Sequence, residues 1–177
     1  QASSSAASDV YKRQIKGLSL NANPLITNLL ESDDKNKSNI FENDFNLEIN
    51  IDKVHFDKIH YVKKLKGKLK IKNNNVVDAN ILAFYNDAKN ISFTIRTTDQ
   101  GNKITTIFSS LAKPLVSRYK FINGFKDDKD GFLDFYSSKK NGVSTSKLII
   151  DNFKVKEIPV LAKLLALASL QGIADLL

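Results

Sequence analysis

The sequence predicts a mostly β protein with helices, an α+β fold: an antiparallel β-meander or groove flanked by a short N-terminal helix, a short middle helix and an apolar C-terminal helix. Three observations predict it. Apolar and polar residues alternate at period two in most runs from Ile40 onward. Asn-, Asp- and Gly-containing turn signals separate those runs. The chain closes on "EIPVLAKLLALASLQGIADLL" (157–177), a stretch too long and too apolar for a strand.

The totals fit a folded domain. The 177 residues are 42% hydrophobic and 26% charged, enough to bury one core. The absence of Cys excludes disulfides, thiolate metal sites and cysteine nucleophiles. The net charge of +8 fits an Asn-, Lys- and Ile-rich coding bias, and it leaves anionic lipid surfaces and nucleic acid as the partners to weigh.

The elements follow in order. "QASSSAASDVYKRQ" (1–14) has no apolar period and no signal-peptide core, and it resembles translated sequencing-adapter read-through. Residues 1–14 are therefore expected to be a non-native, disordered leader, and 15–177 a fragment of a longer protein. "NPLITNLLE" reads as a short helix, with Asn23 as its cap and Pro24 at its first position. "FNLEINID" sets Phe45, Leu47, Ile49 and Ile51 on one face of a strand. "VHFDKIHYV" continues as extended chain. "LKGKLKIK" sets Leu65, Gly67, Leu69 and Ile71 against a row of four lysines. "NNN" (73–75) turns into the strand "ANILAFY", and "NDAKN" leads to "ISFTIRT", with Phe93 and Ile95 inward. Asp99 to Asn102 is a turn, Ile104 to Leu111 a short helix ending near Pro114. "DDKDG" turns into the strand "FLDFYSS", and "KKNG" turns into "SKLIIDNFKV". Pro159 opens the closing helix.

Chemistry is sparse. His55 and His60, five apart, fall on opposite faces of an extended chain and are not placed to share a metal. "DDKDGFLDF" fails as a calcium loop: with Gly131 at the sixth position, Lys126 and Ser137 occupy the first and twelfth. There is no phosphate loop and no nucleophile elbow. The expectation is a protein without catalytic residues, metal or cofactor. The lysine row 66–72 lacks interleaved aromatic stacking platforms, so it reads as a solvated face, then as a contact for anionic head groups, and not as a nucleic-acid site. Val160 to Leu177 spans about 27 Å as a helix, short of a bilayer core of about 30 Å, and carries Lys163, Gln171 and Asp175. A buried or groove-sealing helix is the better reading.

"GFLDFY", "KLIIDNFKV" and "PVLAKLLALASLQGIADLL" together resemble the C-terminal region of the AsmA-like proteins, the group that includes the YhdP and TamB relatives. Gly131, Leu133, Phe135, Leu148, Ile150, Phe153 and Val155 carry the strand part. Asp99 and Gly101 match an upstream D-x-G turn. Ser144, Thr145 and Ser146 depart from the glycine usual there. The resemblance implies a segment of a bridge-like periplasmic protein, anchored to the inner membrane through parts outside this chain. It implies support of phospholipid transport towards the outer membrane and of envelope integrity. The partners would be phospholipid acyl chains and other envelope proteins. Extracting a phospholipid into water exposes about 30 methylenes at about 0.8 kcal/mol each, so a groove can act without covalent chemistry. The candidate groove lining is Phe45, Leu47, Ile49, Ile51, Leu65, Leu69, Ile71, Phe93 and Ile95. The candidate sealing helix presents Pro159, Leu161, Leu164, Leu165, Leu167, Ala168, Leu170 and Ile173. The alternative expectation is a structural, protein-binding β-module of the envelope.

Overall fold

The computed structural model describes residues 11–24, 43–73, 75–116, 122–123, 131–151 and 154–155. Eight strands form one sheet: β1 (Tyr11–Asn21), β2 (Phe45–His55), β3 (Tyr61–Lys72), β4 (Asn75–Phe84), β5 (Asn90–Thr97), β6 (Lys103–Ser109), β8 (Leu133–Lys140) and β9 (Val143–Ile150), in the spatial order β1-β2-β3-β4-β5-β6-β8-β9. Between β6 and β8 lie the four-residue helix α1 (Lys113–Val116) and β7 (Ile122–Asn123), which pairs with β10 (Lys154–Val155) in a separate ribbon.

The α+β expectation is corrected: the described chain is a β protein with one short helix. The predicted middle helix over 104–111 is strand β6. "KITTIFS" alternates inward Thr105, Ile107 and Ser109 with outward Ile104, Thr106 and Phe108, and its β-branched residues favour a pleated surface over a helix. The helical turn comes after it, where Pro114 takes the second position of α1. At the front, Asn23 and Pro24 have helical backbone, but the capping oxygen is that of Asn21, which accepts from Asn23 N–H at 3.1 Å. The rest of that helix, the "DDKDG" turn up to Gly131 and the whole closing helix from Pro159 to Leu177 lie outside the described residues.

Two further corrections concern the front of the chain. Tyr11 to Gln14, assigned above to a disordered leader, are the first four residues of β1 and stand in register with Phe45 to Glu48. The sheet is also not a pure meander, because β1 and β2 are parallel. Residues 22–44 connect them, more than the dozen or so that a parallel crossover requires. Every other neighbouring pair is antiparallel.

Short polar turns hold the hairpins. "VHFDKIHYV", read as continuous extended chain, contains one of them. Asp57 Oδ1 accepts from Ile59 N–H at 2.7 Å and from His60 N–H at 2.6 Å, while Phe56 N–H donates to His60 C=O at 2.9 Å. The β4–β5 turn repeats this design. Asn86 Oδ1 accepts from Ala88 and Lys89 N–H at 3.0 and 2.9 Å, and Tyr85 N–H donates to Lys89 C=O at 2.9 Å. Asn141 and Gly142 both have positive φ, 50° and 80°, as a two-residue type I′ hairpin turn between β8 and β9 requires.

Strict alternation fails at three places, and each failure keeps apolar residues on one face. Ile51 and Val54 are both buried although three apart. Opposite them on β3, buried Val62 and half-buried Leu65 flank Lys64, whose φ is 52°. On β4, Val76 and Ala79 are both buried across the register shift at Lys70 and Ile71. The two core clusters, around Leu69 and Ile95 and around Val62 and Ala83, join through Ile15 and Ile49.

Candidate functional site: an apolar row across eight strands

Register aligns one residue from each strand into a row on the inner face: Ile15, Ile49, Gly67, Ile81, Phe93, Ile107, Phe135 and Leu148. All eight are apolar. Seven inter-strand steps of about 4.8 Å make the row about 34 Å long. Gly67 and Phe135 are buried, and the other six are half-buried. Gly67 sits between Ile49 and Ile81. A Cβ placed there would stand 3.2 Å from Ile81 Cγ1 and 3.5 Å from Ile49 Cβ, so the missing side chain lets the two isoleucines approach.

More deeply buried positions flank this row over the middle of the sheet. On one side stand Leu47, Leu69, Ala79, Ile95 and Thr105; on the other, Ile51, Ala83, Ser109, Leu133 and Ile150. Ile95 is 0% and Leu69 4% exposed. Burial lapses toward β9, where Ser144 and Ser146 are exposed and Leu148 is half-buried. The inner face is thus closed over its centre and opens at the β8–β9 side.

All nine groove-lining candidates lie on this face. Phe45, Leu47, Ile51, Leu69, Ile71 and Ile95 are buried core, whereas Ile49, Leu65 and Phe93 are half-buried, and Ile49 and Phe93 belong to the row itself. Ile15, Gly67, Ile81, Ile107, Phe135 and Leu148 complete the row and were not among the candidates. Alternation in "ANILAFY" and "FLDFYSS" carries the signal for Ile81 and Phe135. Ile107 was hidden by the helical reading of 104–111.

Polar groups on the inner face are concentrated at its ends. At one end the Tyr85 hydroxyl and Ser109 Oγ are 2.9 Å apart, and Ser109 Oγ donates to Leu111 C=O at 2.6 Å. Burial pushes the Tyr85 phenol up to about 12, against the opposing effect of the Ser109 hydrogen bond. At the other end the row Thr105, Ser137, Ser146 is hydroxyl-bearing, and Ser146 Oγ donates to Ser137 Oγ at 2.8 Å. One step further, Lys103 and Lys139 are directly opposed across β6 and β8. Burial lowers the pKa of Lys103 from its ordinary value, and the charge of Lys139 adds to this. Asn102 Oδ1, just before Lys103, is a buried atom with no hydrogen-bond partner.

The outer face divides in two. Over β1–β4 it carries two shallow depressions, one lined by Lys12, Lys68 and Lys70 with Glu48 and Asp78, the other by Lys16, Lys66 and Lys68 with Glu48 and Leu82. Lys68 Nζ lies 3.7 Å from Glu48, and the lysine row 66–72 is exposed, a solvated strand face. Over β6–β9 the outer face carries exposed Phe108, Tyr136 and Ile149. His55 closes β2 with its ring 5.6 Å from that of Tyr61, and His60 Nδ1 is 2.7 Å from Asp57 Oδ2. No group of three His, Asp or Glu residues converges on a metal position among the described residues. No helix among them is long and apolar enough to cross a membrane.

Comparison with known proteins finds no matching family model, no matching curated protein and no matching solved structure.

Proposed function

We propose that this chain is a non-enzymatic segment of a periplasmic bridge-like protein that supports phospholipid transport between inner and outer membranes. The observation that carries the reading is the row from Ile15 to Leu148, apolar at every one of eight strands and half-buried at six. A half-buried apolar row is suited to exchanging contact with acyl chains, because a chain laid along it is removed from water at about 25 cal/mol per Å² of apolar surface. The resemblance of the chain from about Phe45 onward to the AsmA-like C-terminal region supports the same reading, together with anchoring at the inner membrane through other parts of the protein.

The test places a photo-crosslinking benzoylphenylalanine at Ile107, in the row, or at Thr106, its outward neighbour. Irradiation with labelled phospholipid should mark the Ile107 variant and leave the Thr106 variant unmarked. Equal labelling at both positions, or labelling at neither, overturns the proposal. The alternative, a structural protein-binding module of the envelope, is favoured by the closure of Val62, Ile71 and Ile95, each 0–1% exposed. It predicts no lipid label at Ile107.

A further inference from the structure

Along β6, β8 and β9 the inner face changes character in three successive steps. Ile107, Phe135 and Leu148 are apolar; Thr105, Ser137 and Ser146 carry hydroxyls; Lys103 and Lys139 carry positive charge. Each step along a strand to the next residue on the same face is about 6.6 Å. We infer that this corner of the sheet is a binding site for a phosphate-bearing amphiphile, with the phosphate between Lys103 and Lys139 and the apolar tail entering the row at Ile107 and Leu148. The inference rests on the lipid-handling reading and adds the chemistry of the head group.

Three observations converge on it. The two lysines face each other in register with no carboxylate of a described residue in ion-pair distance, an arrangement that repels itself and is relieved by an anion between them. Lys103 is half-buried, so its ammonium has given up water that a phosphate oxygen can replace with a charge-assisted hydrogen bond. The corner is also where the inner face opens: Lys139, Ser144 and Ser146 are exposed, whereas Thr105 is buried. A ligand entering there meets charge first, then hydroxyls, then the apolar row. The lysines of the outer face lack this sequence, since Lys66, Lys68 and Lys70 run alongside Asn and acidic neighbours.

The test uses the 177-residue chain and three probes: dioctanoyl phosphatidic acid, dioctanoylglycerol and inorganic phosphate, each titrated calorimetrically. Wild type should bind phosphatidic acid at least about tenfold more tightly than the glycerol, the equivalent of one charge-assisted hydrogen bond. Lys103→Gln with Lys139→Gln should reduce phosphatidic acid to the affinity of the glycerol. Lys147→Gln, on the outer face of β9, should leave it unchanged. Removing two like charges should leave the melting temperature at or above wild type, and Lys103→Arg should retain binding. If the double variant binds phosphatidic acid as wild type does while the glycerol still binds, the head-group site is wrong and the lipid reading stands. If neither lipid binds wild type, both fail. Inorganic phosphate binding as tightly as phosphatidic acid would make this a free-anion site and overturn the amphiphile.

Discussion

Ser109 is fully buried, and its single hydroxyl joins the Tyr85 phenol to the Leu111 carbonyl. Ser109→Ala strands both, and leaving buried polar groups unpaired costs about 1–3 kcal/mol. Urea unfolding should show that loss, and adding Tyr85→Phe should recover part of it; a neutral Ser109→Ala would mean that water replaces the hydroxyl. Asp57 is a second single-residue determinant. Its slight burial would raise its pKa, but the His60 backbone N–H, the His60 ring and the Ile59 N–H outweigh that and hold the carboxyl at about 2, below the ordinary 3.8. Because the folded value is the depressed one, the stabilisation is complete above the ordinary value and is lost as pH falls through about 2. The stability difference between wild type and Asp57→Ala should therefore shrink as pH falls below about 4, where the carboxylate begins to take up its proton. A difference that keeps growing below about pH 4 contradicts the geometry. Neither residue was legible as a determinant. A Ser in "IFSS" and an Asp in "HFDKIH" look like ordinary polar residues until register brings Tyr85 to one and the turn folds His60 onto the other.

Elements were legible where alternation was clean and turns were short. "FNLEINID" and "LKGKLKIK" lie within β2 and β3, and "ISFTIRT" and "FLDFYSS" match β5 and β8 to within two residues at each end. The Asx turn at 56–60 was missed because its apolar residues keep the run looking extended, although the equivalent Asn86 turn was read from "NDAKN". The parallel pairing of β1 was beyond local pattern, since a partner's direction leaves no mark on a strand's own alternation. β1 is exposed apart from Ile15, and Arg13 stacks over the Phe45 ring at 4.6 Å. Removing residues 1–14 deletes four ladder positions and that cation–π contact, worth about 0.5–1 kcal/mol at an exposed site. A drop in melting temperature of a few degrees is expected, with Tyr11 to Gln14 exchanging amide hydrogens faster than β3 in the intact chain. A large cooperative loss on truncation would show that β1 is integral rather than peripheral.

For the molecule as a whole, the inner face combines a closed core with a half-buried row, and substitutions should sort accordingly. Leu69→Asp buries an unpaired carboxylate at a closed position and should cost about 3 kcal/mol or more, enough to threaten folding. Ile107→Asp, in the row, should cost less, because a half-buried carboxylate can keep part of its water. Equal losses in thermal unfolding would mean that row and core are one compartment. The continuous apolar face was legible from the sequence; its division was not, because burial depends on what lies above the sheet. The exposed lysine row of β3 has a consequence on the same scale. Four ammonium groups recur about 6.6 Å apart along one strand, inside the screening length of about 8 Å at physiological ionic strength, on a chain of net charge +8. The folded chain therefore carries a concentrated field that the expanded chain dilutes, and dissolved ions weaken it by gathering as a counter-charge cloud. Sodium chloride should raise the melting temperature steeply at low concentration and little beyond about 0.3 M, while Lys68→Gln with Lys70→Gln should flatten that curve.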